Sequence, residues 1–333
     1  MTDINDILAK LDKKTRDRVL LAKDTEIIRH PYYSLGLTRL TGGWAEGRIH
    51  LFYGPKSAGK SMILMQTAGQ QQALGKSVAL IDAEGSYDKE FGARLGVDND
   101  NLIINGAKSF AKAQEAGVDL IKAGVDILII DSISNLIPEA FLEENGDTKA
   151  AENQKQIGVK SKSTGVLLNS LHYNNKHTAI FIISQVRMQA GAQHFSQGYE
   201  GGKAMEHAAS QIIKLSASSA EKQQKTMKLD INGRLVEKPV ARDVSIFVEK
   251  NKLGPASGTS EYRMYYDGPF LGIDTFQETV KIGVETGVIA KGGAWLKYDG
   301  QSWQGEANMA ESFKSDLDLF EKVQKEVLAI EES

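Results

Sequence analysis

The sequence predicts an α/β protein whose core is a mostly parallel central sheet. Short apolar runs alternate with longer stretches of helical pattern between Arg48 and Leu215. The runs occupy residues 49–53, 78–82, 127–131 and 179–184. Because they are continuously apolar rather than alternating, they are typical of strands buried on both faces, and the intervening segments are long enough for crossover helices.

A hairpin and a small C-terminal unit are predicted to follow this sheet. Residues 244–250 and 260–266 are strand-like, and the Gly/Pro-containing turn at 254–258 between them predicts a hairpin that extends the sheet. Gly-rich turns, Trp295, Trp303 and a final helical pattern indicate a small α+β domain after Pro269. The predicted domains are residues 1–33, 34–269 and 270–333.

The N-terminal unit begins with an amphipathic pattern. Its apolar positions are Ile4, Ile7, Leu8 and Leu11. A helical segment this short cannot bury its apolar stripe alone. It could pack on the body of its own chain or on a neighbouring copy, and the sequence leaves both possibilities open. We interpret residues 1–33 as an oligomerisation segment.

Composition excludes several classes of protein. With 41% hydrophobic and 25% charged residues, the 333-residue chain matches ordinary globular usage. It has no cysteine, which excludes disulfides, thiolate metal sites and thiol nucleophiles. No apolar run approaches the roughly 20 residues of a membrane span, and the acidic N-terminus does not resemble a signal peptide. We therefore expect a cytoplasmic protein with no membrane partner. The net charge of −3 means that any polyanion must meet a local basic patch.

A phosphate-binding loop follows the first predicted strand. Residues 54–61 satisfy the pattern G-x-x-x-x-G-K-[ST], between a strand and a helical pattern. The loop consists of Gly54, Pro55, Lys56, Ser57, Ala58, Gly59, Lys60 and Ser61. In such a loop the main-chain amides surround a phosphate, Lys60 neutralises the β and γ oxygens, and the Ser61 hydroxyl holds magnesium. The sequence therefore predicts a site for a nucleoside triphosphate with Mg²⁺.

Polar residues at the ends of other predicted strands complete a candidate hydrolysis site. Asp131 closes one apolar run and is predicted to supply the second magnesium contact, although Asp82 ends another strand and competes for that role. Glu84 could activate or position the attacking water, or it could be an ordinary surface-loop acid. Gln185 could touch the γ-phosphate, but polar residues are common at strand ends.

These motifs together resemble bacterial RecA recombinases in order and spacing. The shared segments are residues 42–48, 53–61, 81–84, 131–132, 184–188, 250–252, 293–295 and 303–308. The resemblance runs from about Ser34 to the end and fails over the N-terminal unit. Because the shared segments extend well past the P-loop, the resemblance is more specific than that of a general nucleoside triphosphatase.

The resemblance implies a RecA-type P-loop NTPase core that binds ATP and Mg²⁺ between protomers. Such a protein forms helical filaments on single-stranded DNA and pairs it with homologous double-stranded DNA in recombination and repair. By resemblance, Glu84 activates water and Gln185 senses the γ-phosphate. The resemblance also places Asp88 and Phe91 against adenine, and directs Lys250 and Lys252 to the ATP of the neighbouring protomer.

The resemblance also places two DNA-binding loops, at about residues 143–156 and 188–202. Residues 149–206 carry seven cations and three acids, which is the concentration of positive charge that phosphate contacts require. Phe195 could insert between bases. Surface loops without a DNA role are the alternative. The candidate DNA-binding residues are Lys155, Lys160, Lys162, Arg187, Met188, Phe195, Gly201, Gly202 and Lys203.

The chain departs from the family pattern at two places. The helix after the second loop carries Lys203 where Asn is usual, and Glu206 and His207 replace a lysine and an aromatic residue, which puts the coupling between ATP and DNA in doubt. Ser245 and Phe247 stand where cations for a second DNA strand are expected. Nearby cations that could replace them are Lys228, Arg234, Lys238 and Arg242.

Two other functions share this core. A ring-forming helicase or ATPase motor would carry the same P-loop, and a DNA-coating filament would use ATP only as an assembly ligand. The 184–188 and 250–252 segments and the C-terminal unit favour the recombinase over the helicase or motor, whereas a comparison of ATP turnover between wild type and Glu84→Ala would separate it from the coating filament.

Overall fold

A computed structural model describes residues 4–16, 19, 21–22, 25–142, 153–190, 195–217, 224–231, 234–255 and 257–330. The N-terminal half of the described chain contains α1 (Ile4–Ala9), α2 (Lys13–Arg16), β1 (Arg29–His30), α3 (Leu35–Thr41), β2 (Trp44–Ala45), β3 (Ile49–Gly54), α4 (Lys60–Ala73), β4 (Val78–Asp82), α5 (Lys89–Arg94), β5 (Leu102–Asn105), α6 (Phe110–Ala123) and β6 (Ile127–Asp131).

The remainder contains α7 (Asn153–Asn174), β7 (Ala179–Gln185), β8 (Arg187–Ala190), β9 (Phe195–Gly198), α8 (Gly202–Ala208), β10 (Gln211–Ala217), β11 (Gln224–Ile231), β12 (Arg234–Asn251), β13 (Gly258–Tyr265), β14 (Gly272–Ile273), α9 (Thr275–Glu285), β15 (Ala290–Gly292), β16 (Trp295–Tyr298), β17 (Gln301–Gln304), α10 (Glu306–Ser315) and α11 (Leu317–Ala329).

The largest sheet in the described part of the chain has ten strands. Their order is β14-β13-β12-β10-β3-β7-β6-β4-β5, and β11 pairs with β12 outside this path. The strands from β10 to β5 run parallel, whereas β11 to β14 are antiparallel additions. The predicted α/β class with a mostly parallel sheet is therefore confirmed.

Helices cover both faces of this sheet. β3 is buried along its whole length: Phe52 belongs to the apolar cluster on one face, with Ile63 of α4, and Leu51 belongs to the cluster on the other. That second cluster includes Ile121 of α6 and Leu171 of α7. Burial on both faces explains why the strands are continuously apolar in sequence.

The predicted hairpin is present, but its first strand is much longer than expected. β12 begins at Arg234, ten residues before the predicted start, because its N-terminal half pairs with β11. Its C-terminal half pairs with β13 on one edge and with β10 on the other. The sequence pattern did not predict the N-terminal half of β12, because exposed apolar residues such as Leu235 and Val236 do not alternate regularly with charged residues there.

The C-terminal unit has its own apolar cluster. Helices α9, α10 and α11 pack with the three-stranded antiparallel sheet β15-β16-β17. Leu296, Phe313 and Val323 are buried there. The unit contacts the large sheet through α3 and β13. This agrees with the predicted α+β character, and the exact domain boundaries stay a prediction.

The N-terminal unit differs from its prediction. One amphipathic helix was expected, but two short helices form, and the Asp12 carboxylate between them accepts hydrogen bonds from the Thr15 amide (3.0 Å) and hydroxyl (2.6 Å). That carboxylate begins a second helix instead of continuing the first. Ile4 and Ile7 are 53% and 49% exposed, so the protomer does not bury them. The oligomerisation role stays a prediction.

Candidate nucleotide site and DNA interface

The candidate site lies where parallel strands of the large sheet end together. β3 ends at Gly54, the first residue of the P-loop, and pairs in register with Gln185 at the end of β7. β6 ends at Asp131, beside Asp82 of β4. The carboxyl ends of parallel strands are where ligands bind in open α/β sheets.

The P-loop conformation depends on Gly59. Its φ is +87°, a left-handed conformation that favours glycine, and it precedes α4 as the cap residue. A Cβ at this position would lie 2.4 Å from Met264 Sδ of β13. Since glycine has no side chain to cap the helix, the first amides of α4 are left to an external anion.

Lys60 and Ser61 are held by the loop and by the neighbouring strand. The Lys60 ammonium is buried and donates to the carbonyls of Gly54 (3.0 Å) and Pro55 (2.7 Å). Burial lowers the pKa of Lys60, which Asp131 and Glu84 partly offset. The Ser61 hydroxyl donates to Asp131 Oδ2 at 2.5 Å. The two predicted magnesium contacts are therefore adjacent.

Burial also raises the pKa of Asp131 to about 6, and the nearby carboxylates of Glu84 and Asp82 act in the same direction. Three acids this close together repel one another unless a cation joins them. This charge arrangement suits a divalent ion that arrives with a triphosphate. No group of three or more metal-ligating side chains is found within the described ranges, so the triphosphate itself would complete the coordination of Mg²⁺.

Asp82 stabilises the turn that follows β4. Its carboxylate accepts hydrogen bonds from the amides of Gly85 (2.8 Å), Ser86 (3.2 Å) and Tyr87 (3.0 Å). These contacts fix the turn that carries Glu84. Of the two acids, Asp131 is the one with a described hydrogen bond to Ser61, and its role at magnesium stays a prediction.

Glu84 and Gln185 meet directly. Gln185 Nε2 donates to Glu84 Oε1 at 3.2 Å, and the Ser132 hydroxyl reaches the same oxygen at 3.3 Å. The main-chain amide of Gln185 donates to Ser134 Oγ at 3.0 Å. Ser132 and Ser134 were not singled out as site residues, although the position of both just after Asp131 was the available signal.

A cavity of about 630 Å³ joins these groups. It is lined by Lys60, Glu84, Asp131 and Gln185 on one side and, on the other, by Arg242, Met264 and Tyr266 from the antiparallel strands and the residue after them. Sequence reasoning placed Arg242 among the candidates for a second DNA strand and did not connect it with the nucleotide.

The two residues expected at adenine line a neighbouring cavity of about 110 Å³. Asp88 caps α5 by accepting from the Phe91 amide at 2.8 Å, and Phe91 is 38% exposed. This smaller cavity shares Ser61 and Asp131 with the larger one. Asp88 and Phe91 are thus near the phosphate site, and their contact with adenine stays a prediction.

The expected trans-acting lysines bind the end of α8 in the protomer. Lys250 Nζ donates to the Glu206 carbonyl, and Lys252 Nζ donates to the His207 carbonyl at 3.1 Å. Desolvation lowers the pKa of Lys250, and the adjacent Lys252 acts in the same direction. Cations at the C-terminal end of a helix are favourable because the last carbonyls are otherwise unpaired.

The candidate DNA residues divide into exposed and inward-facing positions. Lys162 and Lys203 are exposed, on α7 and α8. Lys160 is 14% exposed, and its ammonium donates to the Ser134 carbonyl with Glu200 Oε2 at 3.9 Å. Lys160 therefore points towards the strand end next to Gln185, which was not predicted.

Glycines begin the helix that follows the second loop. Gly201 has φ +88°, and a Cβ there would lie 2.5 Å from Thr164 Cγ2 of α7, so α7 and α8 approach closely at this point. Gly202 is the first residue of α8. The side chains of four further candidates lie outside the described part of the structure: Lys155, Arg187, Met188 and Phe195.

The strand ends and the loop between them are typical of one class of enzyme. A P-loop lies between a parallel strand and a helix, an acid ends a second strand, and a carboxylate contacts an amide at the end of a third strand. These features are typical of P-loop nucleoside triphosphatases. In the described ranges, no helix is both long and apolar enough to cross a membrane.

Comparison with known proteins narrows this class. A family model described as the RecA N-terminal domain matches residues 6–269. Protein RecA of Frankia alni is 34% identical over 291 residues, which is 86% of this chain and 78% of that protein. Protein RecA of Saccharopolyspora erythraea is 32% identical over 306 residues (91% and 83%), and that of Nitrobacter winogradskyi is 31% identical over 304 (90% and 79%). The chain belongs to the RecA family and is a RecA-type recombinase.

Proposed function

We propose that this chain is an ATP-dependent DNA strand-exchange protein that hydrolyses ATP through Glu84. The observation that carries the proposal is the contact between Glu84 and Gln185 beside the P-loop. Glu84 would orient a water for attack on a γ-phosphate, and Gln185 would exchange its bond with Glu84 for a bond to that phosphate.

Ligand binding would use residues that are already in place. Lys60 and the first amides of α4 would hold the β and γ phosphates, and Ser61 and Asp131 would hold Mg²⁺. Bound Mg²⁺ neutralises the charge that develops on the phosphates during transfer. The Lys60 ammonium now binds two loop carbonyls, so it is preorganised beside the place where the phosphates would lie.

Assembly would complete the site. We assign to Lys250 and Lys252 a contact with the ATP of an adjacent protomer, where two cations stabilise negative charge as an arginine finger does. In the single protomer both ammonium groups cap α8, the helix that follows the second DNA loop. Reaching a neighbouring ATP would remove those caps, so nucleotide binding and the position of α8 would depend on each other.

DNA binding would fall on the polar segments next to α7 and α8. Exposed Lys162 and Lys203 are placed for phosphate contacts, and the contact of Lys160 with Ser134 links α7 to the strand end that carries Gln185. A single strand bound there would meet elements that also touch the hydrolysis residues. We therefore propose that single-stranded DNA stimulates ATP hydrolysis, and that the resulting filament pairs with homologous double-stranded DNA.

The test compares ATP turnover with and without single-stranded DNA in wild type and Glu84→Gln. We expect DNA to stimulate wild-type turnover and Glu84→Gln to lower kcat by about 100-fold or more while ATP still binds, because the general base is lost. A joint-molecule assay then checks strand exchange. Turnover that ignores DNA, or equal turnover of the two proteins, contradicts the proposed hydrolysis site.

A double variant, Lys250→Ala with Lys252→Ala, tests the role of assembly. Its control is Lys122→Ala, which removes an exposed cation of α6 outside every candidate site. Hydrolysis should fail in the double variant while ATP binding persists, and the control should turn over normally. Discrete hexameric rings in negative-stain images with ATP would instead favour the motor alternative.

A further inference from the structure

Arg242 lines the nucleotide cavity from the side opposite to the hydrolysis residues. In the sheet, β12 and β13 lie on one side of β3, and the strands β7, β6 and β4 lie on the other. Glu84 and Gln185 belong to the second side, whereas Arg242, Met264 and Tyr266 line the cavity from the first. Arg242 is therefore separated by the P-loop strand from the groups assigned to the γ-phosphate.

The backbone holds Arg242 rigidly. It pairs with Gln224 of β11 on one edge and with Met264 of β13 on the other, so both edges of β12 are occupied at this point. Met264 in turn lies against Gly59 of the P-loop. The long β11–β12 hairpin, which the sequence did not predict, is what places an arginine at this position.

Among the described residues, the Arg242 guanidinium is oriented by an aromatic ring and has no ion-pair partner. Its central carbon lies over the Tyr266 ring, 4.4 Å from the ring centre, which is a cation–π contact. Its Nε is buried and has no hydrogen-bond partner among the described residues. Arg263 on the adjacent strand is the opposite case, because it forms two bonds to Asp243 at 2.8 and 3.2 Å.

A guanidinium has five N–H donors, so contact with an aromatic ring leaves donors that can bind an anion. The cavity it lines already contains the phosphate loop. A bound nucleotide would therefore bring its phosphates to the side of the cavity that Arg242 lines.

We propose that Arg242 is a nucleotide-binding residue, and that Tyr266 is the positioning residue that holds its guanidinium in the cavity. The inference rests on the proposed function of the P-loop as an ATP site. Because its cross-strand neighbour Met264 lies against Gly59, whose loop would hold the β-phosphate, Arg242 is assigned to the phosphates that ATP and ADP share. It contributes to binding and not to the hydrolysis step.

The test measures the Kd of fluorescent ATP and ADP analogues for wild type, Arg242→Gln, Arg242→Lys and the control Lys238→Gln. Arg242→Gln should weaken both nucleotides by a similar factor of about 10, which is the loss of one charge-assisted hydrogen bond. Arg242→Lys should recover only part of this, because an ammonium does not stack or donate as a planar fork. Lys238→Gln, an exposed cation on the same strand, should bind like wild type.

Kinetics give a second readout. At saturating ATP, Arg242→Gln should keep a kcat within about twofold of wild type while KM rises, as expected for a contact made equally in ground and transition states. Tyr266→Phe should bind normally because the ring remains, and Tyr266→Leu should weaken binding. Circular dichroism and thermal unfolding confirm that the variants are folded.

Two results would overturn the inference: an unchanged Kd in Arg242→Gln, or a loss confined to ATP with ADP unaffected, which would move Arg242 to the γ-phosphate. Lys60→Ala separates the two proposals. If Lys60→Ala abolishes binding and Arg242→Gln does not weaken it, only the assignment of Arg242 fails. If Lys60→Ala binds normally, the P-loop assignment itself fails.

Discussion

Two helices of the core begin in opposite ways. At the start of α3, Ser34 caps the helix and the buried Glu278 carboxylate of the C-terminal unit accepts from the Ser34 hydroxyl (2.5 Å) and the amides of Leu35 and Gly36 (both 3.1 Å). At the start of α4, Gly59 offers no side chain. One helix terminus is closed by a carboxylate of the protein, and the other is left for a phosphate.

The comparison shows that the same physical demand has two solutions. The first amides of any helix need acceptors, and the helix dipole favours a negative one. At α3 the Glu278 carboxylate supplies the acceptors, and this contact also joins the C-terminal unit to the core. At α4 no side chain caps the helix, so these amides can donate to an external anion, as proposed for the nucleotide. Variants at each of the two termini test this contrast.

The largest effect is expected at α4, for Lys60→Ala. Removing the ammonium leaves a nucleotide with the helix amides alone, so affinity for ATP should fall by about 100-fold or more. Isothermal titration calorimetry checks this. A variant that binds ATP as wild type does would show that the open terminus of α4 is not the phosphate site.

A smaller effect at the same terminus is expected for Gly59→Ala. The methyl group would strain a backbone at φ +87° and push Met264 towards the cavity, so ATP affinity should fall about tenfold with about 1–2 kcal/mol lost from the free energy of unfolding. Gly75→Ala is the matched control, since Gly75 has φ +83° but no atom within 4 Å of its Cβ position. If both variants lose ATP affinity equally, crowding of the P-loop by the added methyl group is not the cause.

At α3 the prediction concerns stability. Glu278→Gln replaces one acceptor oxygen by a donor that faces other donors, and should lower the free energy of unfolding by about 2 kcal/mol. Urea denaturation measures the change. Glu285→Gln lies on the same helix but is exposed, and should change stability by less than about 0.5 kcal/mol. Equal stability of wild type and Glu278→Gln would mean that the closed terminus contributes nothing.

The smallest effect is the pH dependence of that terminus. Burial raises the pKa of Glu278 to about 7, well above its usual value. A carboxyl whose pKa is raised by folding stabilises the folded state below its unfolded pKa, and this contribution is lost as pH rises through the folded pKa. Between pH 5 and 7 wild type should therefore lose on the order of 1 kcal/mol more stability than Glu278→Gln. Parallel pH profiles for the two proteins would contradict this.

Sequence reasoning found the parallel strands with little error. The runs at 78–82 and 127–131 coincide with β4 and β6, and β3 and β7 each extend one residue further. Burial on both faces leaves a strong apolar signal, so such strands are the easiest elements to predict. The early half of β12 and the break between α1 and α2 were missed because exposed strands and short helices carry weak patterns.

The candidate site was predictable where a motif fixes its geometry. Lys60, Ser61 and Asp131 meet as expected, because the P-loop and strand ends dictate their positions. The contacts of Lys160 with Ser134 and of Lys250 with Glu206 join residues far apart in sequence, and no local pattern encodes them. Arg242 was connected with DNA because its strand pairing, and hence its cavity, could not be deduced without the full sheet.

Glu278 has one more consequence for the C-terminal unit. α3, which it anchors, packs on β13, and β13 carries Met264 against Gly59. A chain shortened after Pro269 would lack Glu278, so the Ser34 hydroxyl and the first two amides of α3 would lose their acceptor. The packing of α3 on β13, and of β13 against the P-loop, would then weaken. The C-terminal unit therefore supports, through α3 and β13, the side of the nucleotide cavity that Met264 lines.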